Sequence, residues 1–451
     1  MKKLKFLTLA AIAAATAMVS SCSDNVELST PTKETKGKCD LLVDVSVDGS
    51  RASALTGTNF STFKLFGYQN PPTGSSAAAK GFLDGANGVD FEGAVGSTWT
   101  TDAEALWPAE TDQSNNFYAI STYGYDKTGA HIINSATLGE EFNTSGLQNG
   151  SFTYTSAISS YTPDYLNETL LEPEAIAELK VPSNYVKSAE QKDVVIAASM
   201  ETLKGTTGKI TLPFKHAFAY VTMEFNFASH VAKKDNEGNY TNDTPDGTGI
   251  SENEYYAIDY IAIHGVKTNG TFTFTKSGDN WDGSWAASDY GVVKYVWGVD
   301  NPLILKCSTQ TPTATNPIIY TPILTDGQAM MIIPQKVNTD GPIVWDDDEN
   351  VPTATPTNKA YIEIHGALWQ STGDDDETKN TPYKTVAINH LTLDNYVADL
   401  GGEAEYYFTQ SLYCALPENF EFKMNKHYNF RIKLTSCLKA DGTDFSEALG
   451  M

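Results

Sequence analysis

Residues able to do acid–base or nucleophilic chemistry are scattered through this sequence rather than gathered into a motif. No GxSxG elbow, HExxH sequence or Walker A loop occurs, and the seven histidines stand apart from one another. His216 flanks a predicted strand with no nucleophile near it in sequence, so a structural, hydrogen-bonded role is the favoured interpretation. The sequence therefore predicts a protein that is not an enzyme and that has no cofactor.

Two acidic runs, at residues 346–349 and 374–377, offer the hard oxygen ligands that Ca²⁺ prefers. Neither run has the ligand spacing of an EF-hand loop, and runs of like charge are commonly solvated. The cysteines also lack the CxxC spacing of a zinc site. We therefore predict solvated acidic loops and no metal site.

The seven tryptophans are the residues that would stack on sugar rings, since aromatic faces pack against pyranoses. Packing in the core of a β-sandwich is the commoner fate of tryptophan and is the favoured prediction. A glycan-binding surface is the alternative, and carboxylate pairs for glycoside hydrolysis are defined only in three dimensions. The tryptophans are Trp99, Trp107, Trp281, Trp285, Trp297, Trp345 and Trp369.

The N-terminus carries the features of a secretory signal peptide. Lysines at positions 2, 3 and 5 precede an apolar run over residues 6–19, which is shorter than the roughly 20 residues of a membrane-spanning helix. The small residues before Cys22 resemble the lipobox of bacterial lipoproteins, which implies cleavage after residues 1–21 and a lipid on Cys22. Residues 22–38 are polar and without periodicity, so they are predicted to be a flexible spacer.

The acidic composition narrows the classes of partner. Basic residues number 31 and acidic residues 56, and nucleic acid is not expected as a partner because phosphate binding needs a basic surface. Aromatic residues make up 11% of the chain and charged residues only 19%, which favours β structure.

A Cys414–Cys437 disulfide and buried thiols are both open alternatives for the cysteines beyond Cys22. These cysteines are Cys39, Cys307, Cys414 and Cys437.

Alternating apolar and polar residues predict many short strands. The clearest pattern covers residues 41–47, where one face is apolar and Leu42 interrupts the polar face. A turn-like loop holding Arg51 follows. A helix is predicted only over residues 167–179. The other predicted strands cover residues 63–68, 117–123, 193–197, 209–213, 219–227, 256–264, 271–275, 292–297, 329–334, 361–365, 405–416 and 428–434.

A chain of 451 residues is too long for one compact core. Many short alternating strands separated by turns are typical of β-sandwiches. We therefore predict an all-β protein with two tandem β-sandwich domains, over residues 39–204 and 205–451.

Several short motifs resemble those of the fimbrillin family of Bacteroidales-type surface fimbriae. Each motif is weak alone, but their order and spacing from Met1 to about Leu434 make the resemblance specific. They are the lipobox at Cys22, the strand 41–47 followed by Arg51-Ala52-Ser53, and segments 63–68, 105–108, 117–119, 193–197, 212–221, 331–335 and 425–430.

The resemblance implies two transthyretin-like β-sandwich domains per subunit and export as a lipoprotein to the outer membrane. It further implies proteolysis between Arg51 and Ala52, which would remove the strand 39–47 together with the lipid on Cys22. A strand of a neighbouring subunit would then fill the apolar groove, because an open sheet edge beside core residues templates strand addition. The removed strand would carry Leu41, Val43, Val45 and Val47.

Two C-terminal segments are candidates for the donated strand. Residues 428–434 alternate in polarity, and residues 405–416 are the alternative. The tail 435–451 departs from the family pattern because it is not an obvious strand. On the first candidate the apolar face would hold Tyr428, Phe430, Ile432 and Leu434.

We therefore predict a structural subunit, stalk or tip, of a cell-surface fimbrium that supports adhesion to a host or bacterial surface. Its partners would be other fimbrial subunits and, through Cys22, the outer membrane. If Arg51 is not cleaved, an anchoring or capping subunit fits better. The alternative function is a monomeric glycan-binding lipoprotein of the outer membrane, and a secreted glycan-active enzyme is the weakest hypothesis.

Overall fold

The computed structural model describes residues 41–47, 59–125, 132–160, 184–204, 208–297, 303–341, 359–370 and 410–433, except residues 86, 249, 251 and 253. In these ranges 54% of the residues are in strands and 3% are helical. The helices are three short 3₁₀ helices at Leu147–Asn149, Ser188–Glu190 and Asp326–Gln328. The all-β prediction is confirmed. No helix in the described part of the chain has the length and hydropathy that a bilayer crossing requires.

Twenty-five strands are described, and most are short. In chain order the first thirteen are β1 (Leu42–Val47), β2 (Thr62–Gln69), β3 (Lys80–Gly81), β4 (Val89–Glu92), β5 (Asn115–Tyr125), β6 (Ile132–Ser135), β7 (Phe142–Asn143), β8 (Ser151–Tyr154), β9 (Ser159–Ser160), β10 (Asn184–Lys187), β11 (Asp193–Thr202), β12 (Lys209–His216) and β13 (Ala219–Asn226). The others are β14 (His230–Val231), β15 (Asp246–Gly247), β16 (Glu254–Ser277), β17 (Asn280–Val296), β18 (Leu303–Lys306), β19 (Thr321–Leu324), β20 (Met330–Ile332), β21 (Gln335–Lys336), β22 (Tyr361–Gln370), β23 (Gln410–Ala415), β24 (Glu421–Phe422) and β25 (His427–Lys433).

The first large sheet has the strand order β1-β12-β11-β5-β2-β3, with β4 beside β2 and β6 beside β5. β1 lies at one end of this order and runs parallel to β12. Alternate residues of these strands point to one face and form the first core, because successive side chains of a strand alternate between faces. The first core includes Leu41, Val43, Val45, Phe60, Phe63, Leu65, Phe117, Val195, Ile210, Leu212 and Phe214.

The second large sheet has the order β23-β22-β16-β17-β10-β9, with β8 and β18 also paired to β16. A smaller sheet places β13 between β25 on one edge and β19 and β20 on the other. Side chains from both sheets meet in the second core, as in a sandwich. The second core includes Val221, Met223, Phe225, Ile258, Ile261, Ile263, Met330, Ile362, Ile364 and Ile432.

The long hairpin of β16 and β17 reaches beyond the second core and packs on the outer face of the first sheet. Its aromatic side chains belong to an interface core with residues from β5 and β11. Trp281 Nε1 donates to the carbonyl oxygen of Pro213 at 3.0 Å, and Trp285 Nε1 donates to that of Ala217 at 2.9 Å. One indole therefore bonds β12 itself and the other bonds the residue that follows it, independently of β1. The interface core includes Tyr118, Ile120, Val194, Ile196, Phe272, Phe274 and Trp281.

The strand pairing differs from the sequence prediction in two ways. The segments 256–264 and 271–275, predicted as separate strands, lie in the single strand β16. Strands from both sides of the predicted domain boundary after residue 204 also occur in the large sheets: β12 joins the first sheet, and β8 and β10 join the second. The division into domains 39–204 and 205–451 stays a prediction. The helix predicted over residues 167–179 lies outside the described residues.

Gly265 allows β16 to stay continuous at a sharp irregularity. The residue has φ +66° and lies where the register of β16 against β17 shifts. A Cβ on Gly265 would overlap the backbone carbonyl of Lys359, which cannot move without displacing the start of β22. Gly278, in the turn after β16, has φ +61° but nothing within 4 Å of a Cβ.

We expect Gly265→Ala to lower the free energy of unfolding by about 3 kcal/mol or more, since strained backbone and steric overlap add. Gly278→Ala serves as the matched control and should cost only about 1 kcal/mol, the price of a left-handed non-glycine residue alone. Urea unfolding of both variants measures the difference. Equal losses would show that the overlap at Gly265 is relieved by local movement.

Candidate functional site

Several of the predicted site residues lie outside the described part of the chain. These are Cys22, the processing residues Arg51 and Ala52, and Leu434. The remaining site residues belong to two strands, β1 and β25. The candidate site therefore consists of these strands and the residues that each of them packs against.

β1 buries one face in the first core. Leu41, Val43 and Val45 are 1%, 3% and 5% exposed, whereas Leu42 on the opposite face is 37% exposed and Val47 is half-buried. Among the described residues β1 pairs with β12 alone, through six consecutive register pairs from Leu42↔Lys209 to Val47↔Phe214. The burial of three aliphatic side chains contributes about 5–8 kcal/mol before the entropy of ordering the strand is subtracted.

Side chains beneath β1 form an aromatic floor. The ring of Phe214 lies 4.7 Å from that of Phe60 and 5.3 Å from that of Phe63, and Trp99 packs on both of these phenylalanines. We call the β12 edge at residues 209–214, together with this floor, the β1 groove. Trp281, which belongs to the interface core, also bonds β12 at the carbonyl oxygen of Pro213.

The start of the groove is fixed by a shared carbonyl. The oxygen of Gly208 accepts the backbone N–H of Leu42 at 3.1 Å and Trp107 Nε1 at 3.0 Å. On the solvent face of β1, Asp44 Oδ2 lies 2.9 Å from Lys209 Nζ, and both side chains are half-buried. This ion pair connects β1 to β12 outside the core. The sequence prediction missed it, since nothing local relates residues 44 and 209.

His216 lies at the end of β12, beyond the last residue paired with β1. Its Nδ1 is 2.6 Å from Asp193 Oδ2, and the same oxygen accepts the hydroxyl of Tyr123 at 2.5 Å. All three side chains are buried. His216 is therefore a hydrogen-bonded core histidine that joins β11 to β12, as the sequence predicted.

β25 is the counterpart of β1 at the other end of the chain. It runs parallel to β13 through seven register pairs, from Tyr220↔His427 to Asn226↔Lys433. Ile432 is buried, while Tyr428 and Phe430 are half-buried and pack against the second core. The hydroxyl of Tyr428 also donates to the carbonyl of Glu421 at 3.0 Å. β25 is thus anchored in the described chain by its own neighbours.

The tryptophans that the structure describes serve packing. Trp99, Trp107 and Trp281 are buried, and Trp285 and Trp297 are half-buried. These five side chains pack in the protein, as the sequence predicted. The acidic runs at 346–349 and 374–377 lie outside the described residues. Within the described ranges no three His, Cys, Asp or Glu side chains are grouped as metal ligands would be.

A buried polar cluster on the second large sheet was not predicted. Glu363 accepts from the hydroxyl of Tyr260 at 3.0 Å and lies 2.6 Å from His264 Nε2. His365 Nδ1 lies 2.6 Å from Asp259 Oδ1. Lys294 Nζ lies 3.6 Å from the ring centroid of Tyr260. We call these residues the polar cluster; they are Asp259, Tyr260, His264, Lys294, Glu363 and His365.

Burial and charge pull the pKa values of the polar cluster in different directions. Burial raises the pKa of Glu363, but its hydrogen bond with His264 and the nearby cations outweigh burial and hold that pKa well below its usual range. Burial lowers the pKa of Lys294 to about 8, against the opposing charges of Glu363 and Asp259. Burial also lowers the pKa of His365, but the charge and hydrogen bond of Asp259 outweigh it and raise the pKa. The cluster therefore holds ionised partners inside the protein.

No family model matches the chain, and no curated protein is similar to it. Among solved structures, one described as a cell adhesion protein of Bacteroides ovatus is similar over 88% of this chain and 94% of its own, with 9% identity and a TM-score of 0.31. A fimbrial protein of the same species is similar over 89% of this chain and 49% of its own, with 12% identity and a TM-score of 0.28.

The tip fimbrial protein Mfa3 of Porphyromonas gingivalis, truncated at its C-terminus, is similar over 83% of this chain and 89% of its own. The identity is 8% and the TM-score 0.25. Similarities this distant carry no argument about function, which has to come from the geometry of β1 and its groove. The solved structures to which the chain is similar are described as fimbrial and cell adhesion proteins, the class of protein that its sequence resembles.

Proposed function

We propose that this chain is a structural subunit of a cell-surface fimbrium that polymerises when β1 is replaced by a strand of another subunit. The observation that carries this proposal is the position of β1. β1, which pairs with β12 alone among the residues that the structure describes, supplies Leu41, Val43 and Val45 to the first core.

Loss of β1 would leave a site that binds a new strand. The backbone N–H and C=O groups of β12 that face β1 would lose their partners, and the aromatic floor would face water. An unpaired edge beside exposed apolar surface binds extended peptide strongly, because backbone hydrogen bonds and side-chain burial are recovered together. Stability regained in this way ties one subunit to the next.

Release of β1 would follow cleavage after Arg51. The whole chain contains two arginines, Arg51 and Arg431. Arg431 lies within β25, where the backbone is paired with β13 and the side chain bonds Glu224. A protease needs an extended, unpaired segment, and the paired backbone of β25 disfavours cleavage at Arg431. Arg51, in the loop that the sequence predicts after β1, is the proposed site, and the cut would leave residues 52–451. The same cut would separate the subunit from the proposed lipid on Cys22.

Arg51→Lys tests the processing step. We expect an arginine-specific protease to cut the wild-type protein (residues 23–451) once and to yield multimers on size-exclusion chromatography, whereas Arg51→Lys stays whole and monomeric. Arg431→Lys is the matched control, since it removes the other arginine with the same chemistry and should still be cut and polymerise. Monomers from a wild-type protein that has been cut at Arg51 and has lost β1 would contradict the proposal.

The proposal includes export as an outer-membrane lipoprotein, with other fimbrial subunits as partners and adhesion as the outcome. The donated strand would be β25, with Tyr428, Phe430, Ile432 and Leu434 facing the acceptor, or the segment 405–416. To be donated, β25 must first leave β13. Its position beside β13 and the β1 groove of another subunit would both bury the same apolar face of β25.

A further inference from the structure

The two parallel edge strands are joined to their neighbours by ion pairs of opposite polarity. On β1 the acid belongs to the terminal strand and the base to its neighbour: Asp44 Oδ2 lies 2.9 Å from Lys209 Nζ. On β25 the arrangement is reversed, because Arg431 Nε donates to Glu224 Oε2 at 2.8 Å. The acidic side chain therefore lies on the terminal strand in one pair and on the neighbouring strand in the other.

The outward faces of the two strands differ accordingly. β1 presents Leu42, Asp44 and Ser46 away from the first core, so its single charge is negative. β25 presents a face without any acid: Thr222 on β13 bonds His427 and Asn429, Glu224 bonds Arg431, and Lys433 is exposed. That outward face carries His427, Asn429, Arg431 and Lys433.

A strand that replaces β1 must place apolar side chains where Leu41, Val43 and Val45 lie. Its fourth residue then occupies the position of Asp44 beside Lys209. When Tyr428 of β25 takes the place of Leu41, that fourth residue is Arg431. When the register is shifted by two residues, so that Phe430 takes the place of Leu41, the fourth residue is Lys433. Both registers put a cation beside Lys209, and like charges on adjacent strands destabilise the pair.

We propose that Lys209 determines which strand enters the β1 groove: it accepts a strand with apolar residues at its first, third and fifth positions and Asp or Glu at its fourth, and it disfavours β25 of a second copy. This inference rests on the proposed function. A strand of a partner subunit with an acidic residue in that register then outcompetes β25 of a second copy, which still enters the groove where it is the only donor present. β25 in turn suits a groove whose edge carries an acid, as β13 carries Glu224.

Peptide exchange tests the proposal. The protein (residues 23–451) is cut at Arg51, and fluorescent peptides of residues 40–47 are added, either with Asp44 or with Asp44→Lys. Anisotropy gives the affinity of each peptide for the vacated groove. We expect the Asp44 peptide to bind about five-fold more tightly, the scale of one half-buried ion pair. Lys209→Glu should reverse the preference, and a peptide of residues 427–434 should behave as the Asp44→Lys peptide does.

Lys80→Glu is the matched control, because this exposed lysine lies on β3 at the opposite end of the same sheet and undergoes the same change of charge. The preference should be unchanged in this variant. Equal affinities of the two peptides for the wild-type protein would overturn selection by Lys209 and leave strand replacement standing. Failure of every peptide to bind a protein that has lost β1 would overturn both.

Discussion

Replacing Val43 by aspartate is expected to release β1 from the first sheet while the rest of the fold persists. Val43 is 3% exposed, and a carboxylate cannot be buried there without a partner. β1 is expected to detach instead. The free energy of apolar burial lost on detachment is nearly offset by the conformational entropy that the strand regains. We expect the free energy of unfolding to fall by about 2–4 kcal/mol.

Hydrogen exchange measures the release directly. In Val43→Asp, the amides of Ile210, Leu212 and Phe214, which face β1, should exchange faster, and the opened groove should bind an apolar dye. Leu42→Asp is the matched control: it introduces the same charge one residue away, on the solvent face, and should change stability by less than about 0.5 kcal/mol. Unchanged protection of these three amides in Val43→Asp would mean that β1 is not separable from the sheet.

Glu363→Gln is expected to have an effect of similar size in the second large sheet. The substitution keeps the shape of the side chain but removes the charge that faces His264, Lys294 and His365. Breaking one side of a buried ion network leaves cations uncompensated, which costs about 3 kcal/mol or more. Glu237→Gln, in an exposed loop, is the control and should leave the free energy of unfolding unchanged. A loss below about 1 kcal/mol for Glu363→Gln would refute the assignment of an ionised Glu363.

The contribution of Glu363 also depends on pH with a defined sign. Because its pKa in the folded protein lies below the unfolded value of about 4.3, the unfolded chain binds the proton first as pH falls. The stabilisation is fully present above that unfolded pKa and is lost as pH drops through the folded pKa. The stability difference between wild type and Glu363→Gln should therefore shrink as pH falls below about 4. Urea titrations across this pH range measure it.

The burial pattern of β1 could be predicted from sequence because alternation is local. Leu41, Val43 and Val45 are buried and Leu42 is exposed, as a period of two requires. The same holds for β13, although its second face is also covered: Tyr220 belongs to the interface core. Polarity along a strand fixes which side faces a core, without indicating what lies on the other side.

Pairing between distant strands could not be predicted. The neighbour of β1 is β12, and the neighbour of β25 is β13, and no local pattern links either pair. The ion pair of Asp44 with Lys209 and the whole polar cluster depend on these long-range registers. One signal was present for the cluster: β22 places Tyr361, Glu363 and His365 at alternate positions of an otherwise apolar strand, which suits a polar patch on one buried face.

A reversible lock on β1 would test strand replacement most directly. Asp44 and Thr211 are register partners on neighbouring strands, which lie about 4.8 Å apart, within the span of a disulfide. In the protein (residues 23–451) with Asp44→Cys, Thr211→Cys and Cys39→Ser, a disulfide would hold β1 in place after cleavage at Arg51. Strand replacement predicts monomers while the disulfide is intact and multimers once it is reduced. Multimers that form equally fast with the disulfide intact would contradict it.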